Sequence, residues 1–387
     1  MIKYSKHIFT TILFVVGILF GQFSKSITIN TYTDDNLFRT PDPIQDLLTN
    51  VNLSLNYKLI ETHTNFYNNI NLLTYKNTFE RNFLINSAGL NKSIKFGENS
   101  TSTVNIGGNW TLRVNKTDYN YYNYSQMSGY ANFQLITNIA LMKGGYSYRW
   151  RNYSNLPELS NQLHNAYFQL NKSFPTRTTI IFETGLGNKS FMVQDSFTTV
   201  NDIGRGRGQH SAGSISTNTI YERLSTSQAH LILRLTRSLH DKVGIYVQYR
   251  KQFSLDDETS YRNFDDYYQD DELFDDPFTY ESDSYSSQLT LILPKSTKLL
   301  FGGSLHSKNY ISELAYSTAE DTVGIGELRF DEQTNYFINI SKTFHVNKNW
   351  VNSIKLNLFY SFTNNESNSY WYNYKNTSFG GGIQWSF

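Results

Sequence analysis

From Val51 to Leu59 the chain reads VNLSLNYKL, in which Val51, Leu53, Leu55, Tyr57 and Leu59 alternate with Asn52, Ser54, Asn56 and Lys58. The same alternation sets Val104, Ile106, Trp110, Leu112 and Val114 against Asn105, Asn109, Thr111 and Arg113. It returns from Ala140 to Arg151, Ala229 to Leu235, Val243 to Lys251 and Ile354 to Phe362. A period of two places one apolar and one polar face on an extended strand, and no stretch keeps the 3.6-residue period of an amphipathic helix. Sixteen such segments are predicted, centred near Thr28, Leu55, Ile70, Leu90, Trp110, Phe133, Tyr146, Phe168, Phe182, Leu233, Val247, Leu291, Phe301, Ile338, Leu358 and Ile383. About fourteen strands is the nearest alternative count.

The connectors fall into two classes in strict turn. Short ones lie around Glu61, Glu98, Asn138, Pro175, Asp241, Pro294 and Asn347. Longer or more polar ones lie around Asp35, Asn77, Tyr121, Leu156 and Asn365, and over 190–224, 253–283 and 308–330. Alternating short and long connectors suit a transmembrane barrel with short periplasmic turns and long external loops. A soluble sandwich gives no reason for that regularity.

The chain ends on SFGGGIQWSF, where Phe379, Ile383, Trp385 and Phe387 share one parity. This closing strand resembles that of bacterial outer-membrane β-barrel proteins. In those it ends on an aromatic residue and is the signal read by the barrel-assembly machinery. The resemblance is of pattern, names no subfamily, and extends from Ser26 to Phe387. It implies a closed antiparallel transmembrane β-barrel in the outer membrane of a Gram-negative-type bacterium, in contact with outer-membrane lipid. It leaves open a homo-oligomer of the kind common among porins of this size.

Composition changes this picture little. The chain has 387 residues, 29 Tyr, 27 Phe and no Cys, which favours strands and excludes disulfides and thiolate metal sites. Mean hydropathy is −0.48, compatible with a barrel because only alternate residues meet lipid. With 34 basic and 33 acidic residues there is no excess of the kind that nucleic acid requires. Lys3 and Lys6 precede an apolar run from Ile8 to Phe20, with Gly21 after it. This reads as a signal peptide over 1–21 and a barrel over 22–387, the alternative being a retained anchor. Tyrosine and tryptophan clusters at strand ends (Tyr119 to Tyr124, Tyr146 to Trp150, Tyr370 to Tyr374) are expected in the girdles at the lipid–water boundary.

If the apolar parity faces lipid, the other lines the lumen. Its charges are mainly Lys58, Lys95, Arg113, Lys143, Arg149, Arg151, Arg234, Arg250 and Lys355, with Glu183 as the assigned acid. Sixteen strands leave an aqueous channel, and Lys and Arg in a pore favour anions. The sharp expectation is passive, porin-like diffusion of small polar or anionic solutes. The bland one is that these cations pair with folded-in loops or lipid head groups.

Twelve of the 33 acids fall between Asp256 and Asp283. Asp265, Asp266, Asp270, Asp271, Asp275 and Asp276 are weak candidates for holding Ca²⁺, without the spacing of an EF-hand. The same loop could be solvated, or could fold inward against the lumen cations. No other cofactor is indicated. GRGRG, Gly204 to Gly208, lacks the flanking strand and helix of a phosphate cradle, although Arg205 and Arg207 could pair with the acidic loop. No HExxH or GxSxG occurs, and His210 with Ser211 is a poor catalytic pair, so enzyme chemistry is not expected. Two rival functions stay open: a non-conducting barrel for surface polymer or lipoprotein export and assembly, and a rim hydrolase.

Overall fold

The computed structural model describes residues 21–60, 62–97, 101–201, 216–256, 275–348 and 351–387, with side chains except at 21, 193–201, 216–223 and 347. Residues 1–20 of the signal peptide proposed over 1–21, Gly204 to Gly208, His210 and Ser211 lie outside these residues, as do Asp265, Asp266, Asp270 and Asp271.

Sixteen antiparallel strands close on themselves. They are β1 (Gly21–Asp34), β2 (Asp46–Leu59), β3 (Thr64–Tyr75), β4 (Phe83–Phe96), β5 (Ser102–Asn115) and β6 (Tyr124–Ile136). Next come β7 (Leu141–Tyr153), β8 (Asn161–Phe174), β9 (Thr178–Asn201), β10 (Ser216–His240) and β11 (Val243–Ser254). The last are β12 (Tyr280–Leu293), β13 (Thr297–Leu314), β14 (Leu328–Lys348), β15 (Val351–Ser367) and β16 (Tyr374–Ser386). Each strand pairs with its sequence neighbours, and β16 pairs with β1 from Ser26↔Ser386 to Asp34↔Ser378. Each of the sixteen predicted centres falls within one of these strands. The terminal strand therefore does not fray. Its two edges are paired, and the Phe387 amide donates to the Lys25 carbonyl at 2.9 Å.

The faces follow the alternation. Ile106, Trp110 and Val114 of β5 are each about half exposed, as are Leu233 and Leu235 of β10 and Leu356 and Leu358 of β15. An outward band this apolar is a lipid-facing surface, and closure satisfies the backbone groups that lipid cannot. Among the described residues no helix is long and apolar enough to cross a membrane, so the strands do the crossing.

Three connectors are shorter than the sequence indicated, because the strands run on at the long-loop end. The 190–224 stretch is strand to Asn201 and again from Ser216. The 308–330 connector shrinks to 315–327, since β13 continues to Leu314 and β14 begins at Leu328. Asn365 lies within β15, and the connector is 368–373. Beyond the bilayer a strand pair can continue without an apolar face, so alternation stops marking its end.

Candidate functional site

Lumen parity is carried round the wall by the ladder registers. Asn50 of β2 faces the lumen, Asn52 opposes Asn71, Asn69 opposes Ser87, and Ser87 opposes Thr111. Following these pairs through β16 returns to Asn30 and Tyr32 of β1. Lys58, Lys95, Arg113, Lys143, Arg149, Arg151, Arg234, Arg250 and Lys355 all fall on this face, as does Glu183. Glu183 accepts from Gln169 Nε2 at 2.8 Å and stands 3.5 Å from His230 Nε2.

These cations divide by height. Lys58, Lys95 and Lys355 lie near the short-turn end and are exposed. Arg234 donates from Nε to Gln248 at 2.7 Å, and Arg250 donates from Nη2 to Gln252 at 2.8 Å. Both guanidinium groups are thereby held against the β10–β11 wall. Arg113 and Arg151 lie at the outer mouth and are only 7% exposed. Arg113 stacks 4.2 Å from the Phe83 ring centroid and Arg151 4.4 Å from that of Tyr124, while Arg151 also donates to Gln126. Arg81, from the turn before β4, packs there too, 4.6 Å from Phe38 and 5.0 Å from Tyr75. Burial lowers the Arg81 pKa from its usual value, with nearby Arg113 adding to the effect.

The tyrosine clusters correct one expectation. Tyr122, Tyr124, Tyr372 and Tyr374 are buried inside the outer mouth instead of sitting at the lipid boundary. Tyr122 and Tyr124 pack with Tyr153 and Leu159. The rings serve as platforms for guanidinium groups, which takes them inward. Tyr146, Tyr148 and Trp150 do lie on the outward parity, and Tyr146 Oη meets His164 Nδ1 at 2.6 Å.

Inside the same mouth lies a strap that the sequence offered only as one of three readings of the acidic loop. Asp275 and Asp276 lead into a turn at Pro277–Thr279 that lies over the lumen faces of β9 to β13. Asp276 pairs with Lys189 of β9, and both side chains are almost wholly buried. Asp275 accepts from Lys308 of β13 at 2.5 Å and from Tyr310 Oη at 3.2 Å. Gln252 Nε2 donates to the Pro277 carbonyl at 2.6 Å. A Cβ at Gly187 would come within 2.9 Å of the Phe278 ring, so that glycine makes room for the turn. Beside the strap, Arg329 of β14 donates to Glu313 at 2.9 Å and to Asp331 at 2.5 Å, and lies over the rings of Tyr310 and Tyr372.

Sequence reasoning missed Lys189, Lys308, Arg329 and Asp331, each of which it had left in or beside a loop. The lumen parity simply continues to them. Asp275 and Asp276 are both engaged by lysine, and among the described residues no cluster of His, Asp or Glu is arranged to hold a metal ion. Burial pushes the Asp275 carboxyl up, but contact with Lys308 outweighs it and the pKa falls below the usual carboxylate value. The neighbouring outer loop is tied by Asp321, whose carboxylate accepts from the Ser317, Gly324 and Val323 amides and has a pKa lowered to about 2.

A recess of about 490 Å³ spans β15, β16, β1 and β2, with Arg39 of the first outer loop at its edge. The charged lining of the mouth and this recess, whose Asp34 and Arg39 balance in charge, are two features of the lumen with chemistry to offer.

No protein-family model and no curated protein matches the chain. Several solved barrels resemble it. The trimer form of OmpT from Vibrio cholerae is 11% identical over 95% of this chain and 100% of that one, with a TM-score of 0.44. A bacterial polysaccharide outer membrane secretin is 9% identical over 94% and 98%, with a TM-score of 0.47. OpdL from Pseudomonas aeruginosa is 8% identical over 94% and 98%, with a TM-score of 0.41. Nothing about this chain's activity follows from likenesses so distant. Its location rests on its own closed wall and lipid-facing band. The protein is a β-barrel of the Gram-negative outer membrane.

Proposed function

We propose that the barrel is a passive channel for small polar solutes, with a preference for anions. The observation that carries this is the lumen face itself. Sixteen strands enclose a width that side chains cannot fill, and many of the residues facing it are amides, hydroxyls and cations, with Glu183 and Asp34 among the fewer acids. Arg234 and Arg250 are held at fixed positions on one wall, with Arg149, Lys143 and the exposed lysines toward the short-turn end on the same face. A permeating anion meets net positive charge along this path. The described part of the strap, with its ion pairs, lies over β9 to β13, and the recess spans β15 to β2. Outer-membrane lipid and the barrel-assembly machinery are the partners this reading requires. Among the described residues no particular side-chain arrangement favours polymer export or rim hydrolysis.

Single-channel recording of the refolded protein in a planar bilayer under a salt gradient tests this. Open steps with a reversal potential on the anion side are expected. Arg234→Ala with Arg250→Ala should move that potential toward zero and leave the steps. A folded, inserted barrel without conductance overturns the reading.

A pH dependence follows from the strap. The Asp275 pKa is depressed in the folded protein, so its pairing with Lys308 contributes fully above the ordinary carboxylate value of about 3.9. That contribution is lost only as pH falls through the lower folded value. Conductance should stay level from about pH 7 to about pH 4 and rise below it. A rise already between about pH 7 and 5 would mean that this pair does not hold the strap.

A further inference from the structure

The recess on the β15–β2 wall is built in rows. Across β16, Gly380 pairs with Tyr32 of β1 on one side and Phe359 of β15 on the other. Two residues along, Gly382 pairs with Asn30 and Asn357. In the other direction Ser378 pairs with Asp34 and Ser361. The middle strand therefore carries no side chain behind the aromatic row or the amide row. The Tyr32 and Phe359 rings lean across the gap and meet edge to face, with centroids 5.7 Å apart and planes at 61°. Phe359 is half-buried, with one part of its ring on Tyr32 and the rest facing the lumen.

The polar groups complete the pattern. Asn30, Asn357 and Asn50 line the recess and make no side-chain hydrogen bond to another described residue. Each amide has an acceptor and two donors to offer. The formal charge is balanced, because Asp34 and Arg39 are the two charged residues of the lining. Asp34 is held in place by Asn376 Nδ2, by Ser378 Oγ at 3.1 Å and by the Asn36 amide at 3.0 Å. The loop around Arg39 is equally fixed. Asn36 is 2% exposed and its Nδ2 donates to the carbonyls of Thr40 at 2.7 Å and Lys375 at 3.0 Å. Arg39 itself has φ of 54°, a conformation that a non-glycine residue rarely holds without surrounding structure to impose it.

From this we infer that the recess is a binding subsite for a neutral, polyhydroxylated solute of sugar type. A sugar ring has an apolar C–H face and a rim of hydroxyls that both donate and accept. The aromatic pair answers the first, and paired amides with their hydroxyl neighbours answer the second. The balance of Asp34 against Arg39 favours a guest without net charge, and the amides disfavour an apolar one. The volume suits one or two sugar rings, at the small end of the usual range for ligand sites. This inference rests on the channel reading, with the subsite lying beside the conduction path.

The test adds glucose, sucrose or hexaethylene glycol to the chamber while single-channel current is recorded. Sucrose should produce saturable current block, and hexaethylene glycol only the reduction due to bulk conductivity. Phe359→Ala and, separately, Asn357→Ala should each weaken the sucrose block by about tenfold, with the effect of hexaethylene glycol unaltered. Steps that sucrose reduces no more than hexaethylene glycol does overturn the subsite while leaving the channel standing. If no steps appear at all, the channel reading fails and titration calorimetry of the folded protein in detergent decides the subsite. Saturable sucrose binding lost in both variants supports it, and absence of binding overturns it. Heat-modifiable migration of each variant checks that the barrel has folded.

Discussion

Asp275→Asn combined with Asp276→Asn is expected to raise the open-step conductance by roughly twofold or more, because it releases the strap from the outer mouth. The strap is held at two points by opposite charges, Lys189 on β9 and Lys308 on β13. The Lys189–Asp276 pair is almost wholly buried, so the whole weight of its geometry rests on the charges remaining matched. Removing one partner of such a pair costs about 3–5 kcal/mol, since the other charge is left in a poor solvent. A lysine stranded at Lys189 regains water most readily if the turn at 277–279 lifts away. The wall itself does not depend on the strap, because β9 to β13 pair along their ladders independently of it. Asp276→Asn alone should therefore give a flickering, partly opened mouth. Lys189→Met with Asp276→Leu, which replaces the pair with apolar groups, should keep conductance near that of the unmodified protein. Single-channel histograms of the three variants check this. An unchanged step size in Asp275→Asn/Asp276→Asn would show that the strap does not bound the conducting width.

The wall was legible in the sequence and the mouth was not. Within the bilayer every second residue meets lipid, so Leu53 or Ile106 cannot be exchanged for a polar residue at small cost, and the period of two stays visible. The same constraint fixed the parity of Arg234 and Lys143. Above the bilayer it lapses. The outward positions there include Asn188 and Ser190 of β9, Ser307 and Asn309 of β13, and Asn364 and Glu366 of β15, none of them apolar. Lys189 and Lys308 were hidden for this reason, and Arg329 lay at the very start of a strand placed inside a loop, although each continues the lumen parity of a recognised strand. The tyrosines misled for a related reason. Amphipathic rings suit the lipid boundary, but an outer mouth crowded with Arg81, Arg113, Arg151 and Arg329 draws them inward as stacking partners. The inward fold of Asp275 and Asp276 depends on which lysines lie opposite, a fact of register that composition cannot supply. The recess was likewise out of reach, since it joins residues some 350 apart in the chain through the closing seam.

That seam carries the second large effect. Gly382→Val and Gly380→Val are each expected to abolish most of the folded barrel. A Cβ at Gly382 would fall on the Asn30 amide oxygen and within 2.7 Å of the Ile29 carbonyl. At Gly380 it would come within 2.6 Å of the Tyr32 Cα. In both cases the obstruction includes backbone of β1, the strand that must dock to close the ring, so no rotamer change relieves it. Overpacking alone costs about 1–3 kcal/mol, and here it adds to loss of the ladder that satisfies both sheet edges. Phe379, Ile383 and Trp385 remain in both variants, so the apolar pattern of the last strand is untouched. The loss is thus one of closure, separable from any loss of recognition by the assembly machinery when the variants are refolded from denaturant into detergent. Gly129→Ala is the control, since a Cβ there meets nothing nearer than the Gly107 carbonyl at 3.9 Å. It should fold normally. Heat-modifiable migration and far-ultraviolet circular dichroism report the outcome. Normal folding of Gly382→Val would mean that β1 and β16 stand farther apart than this register allows. The aromatic and amide rows of the recess, which the same glycines leave uncovered, would then have to be redrawn.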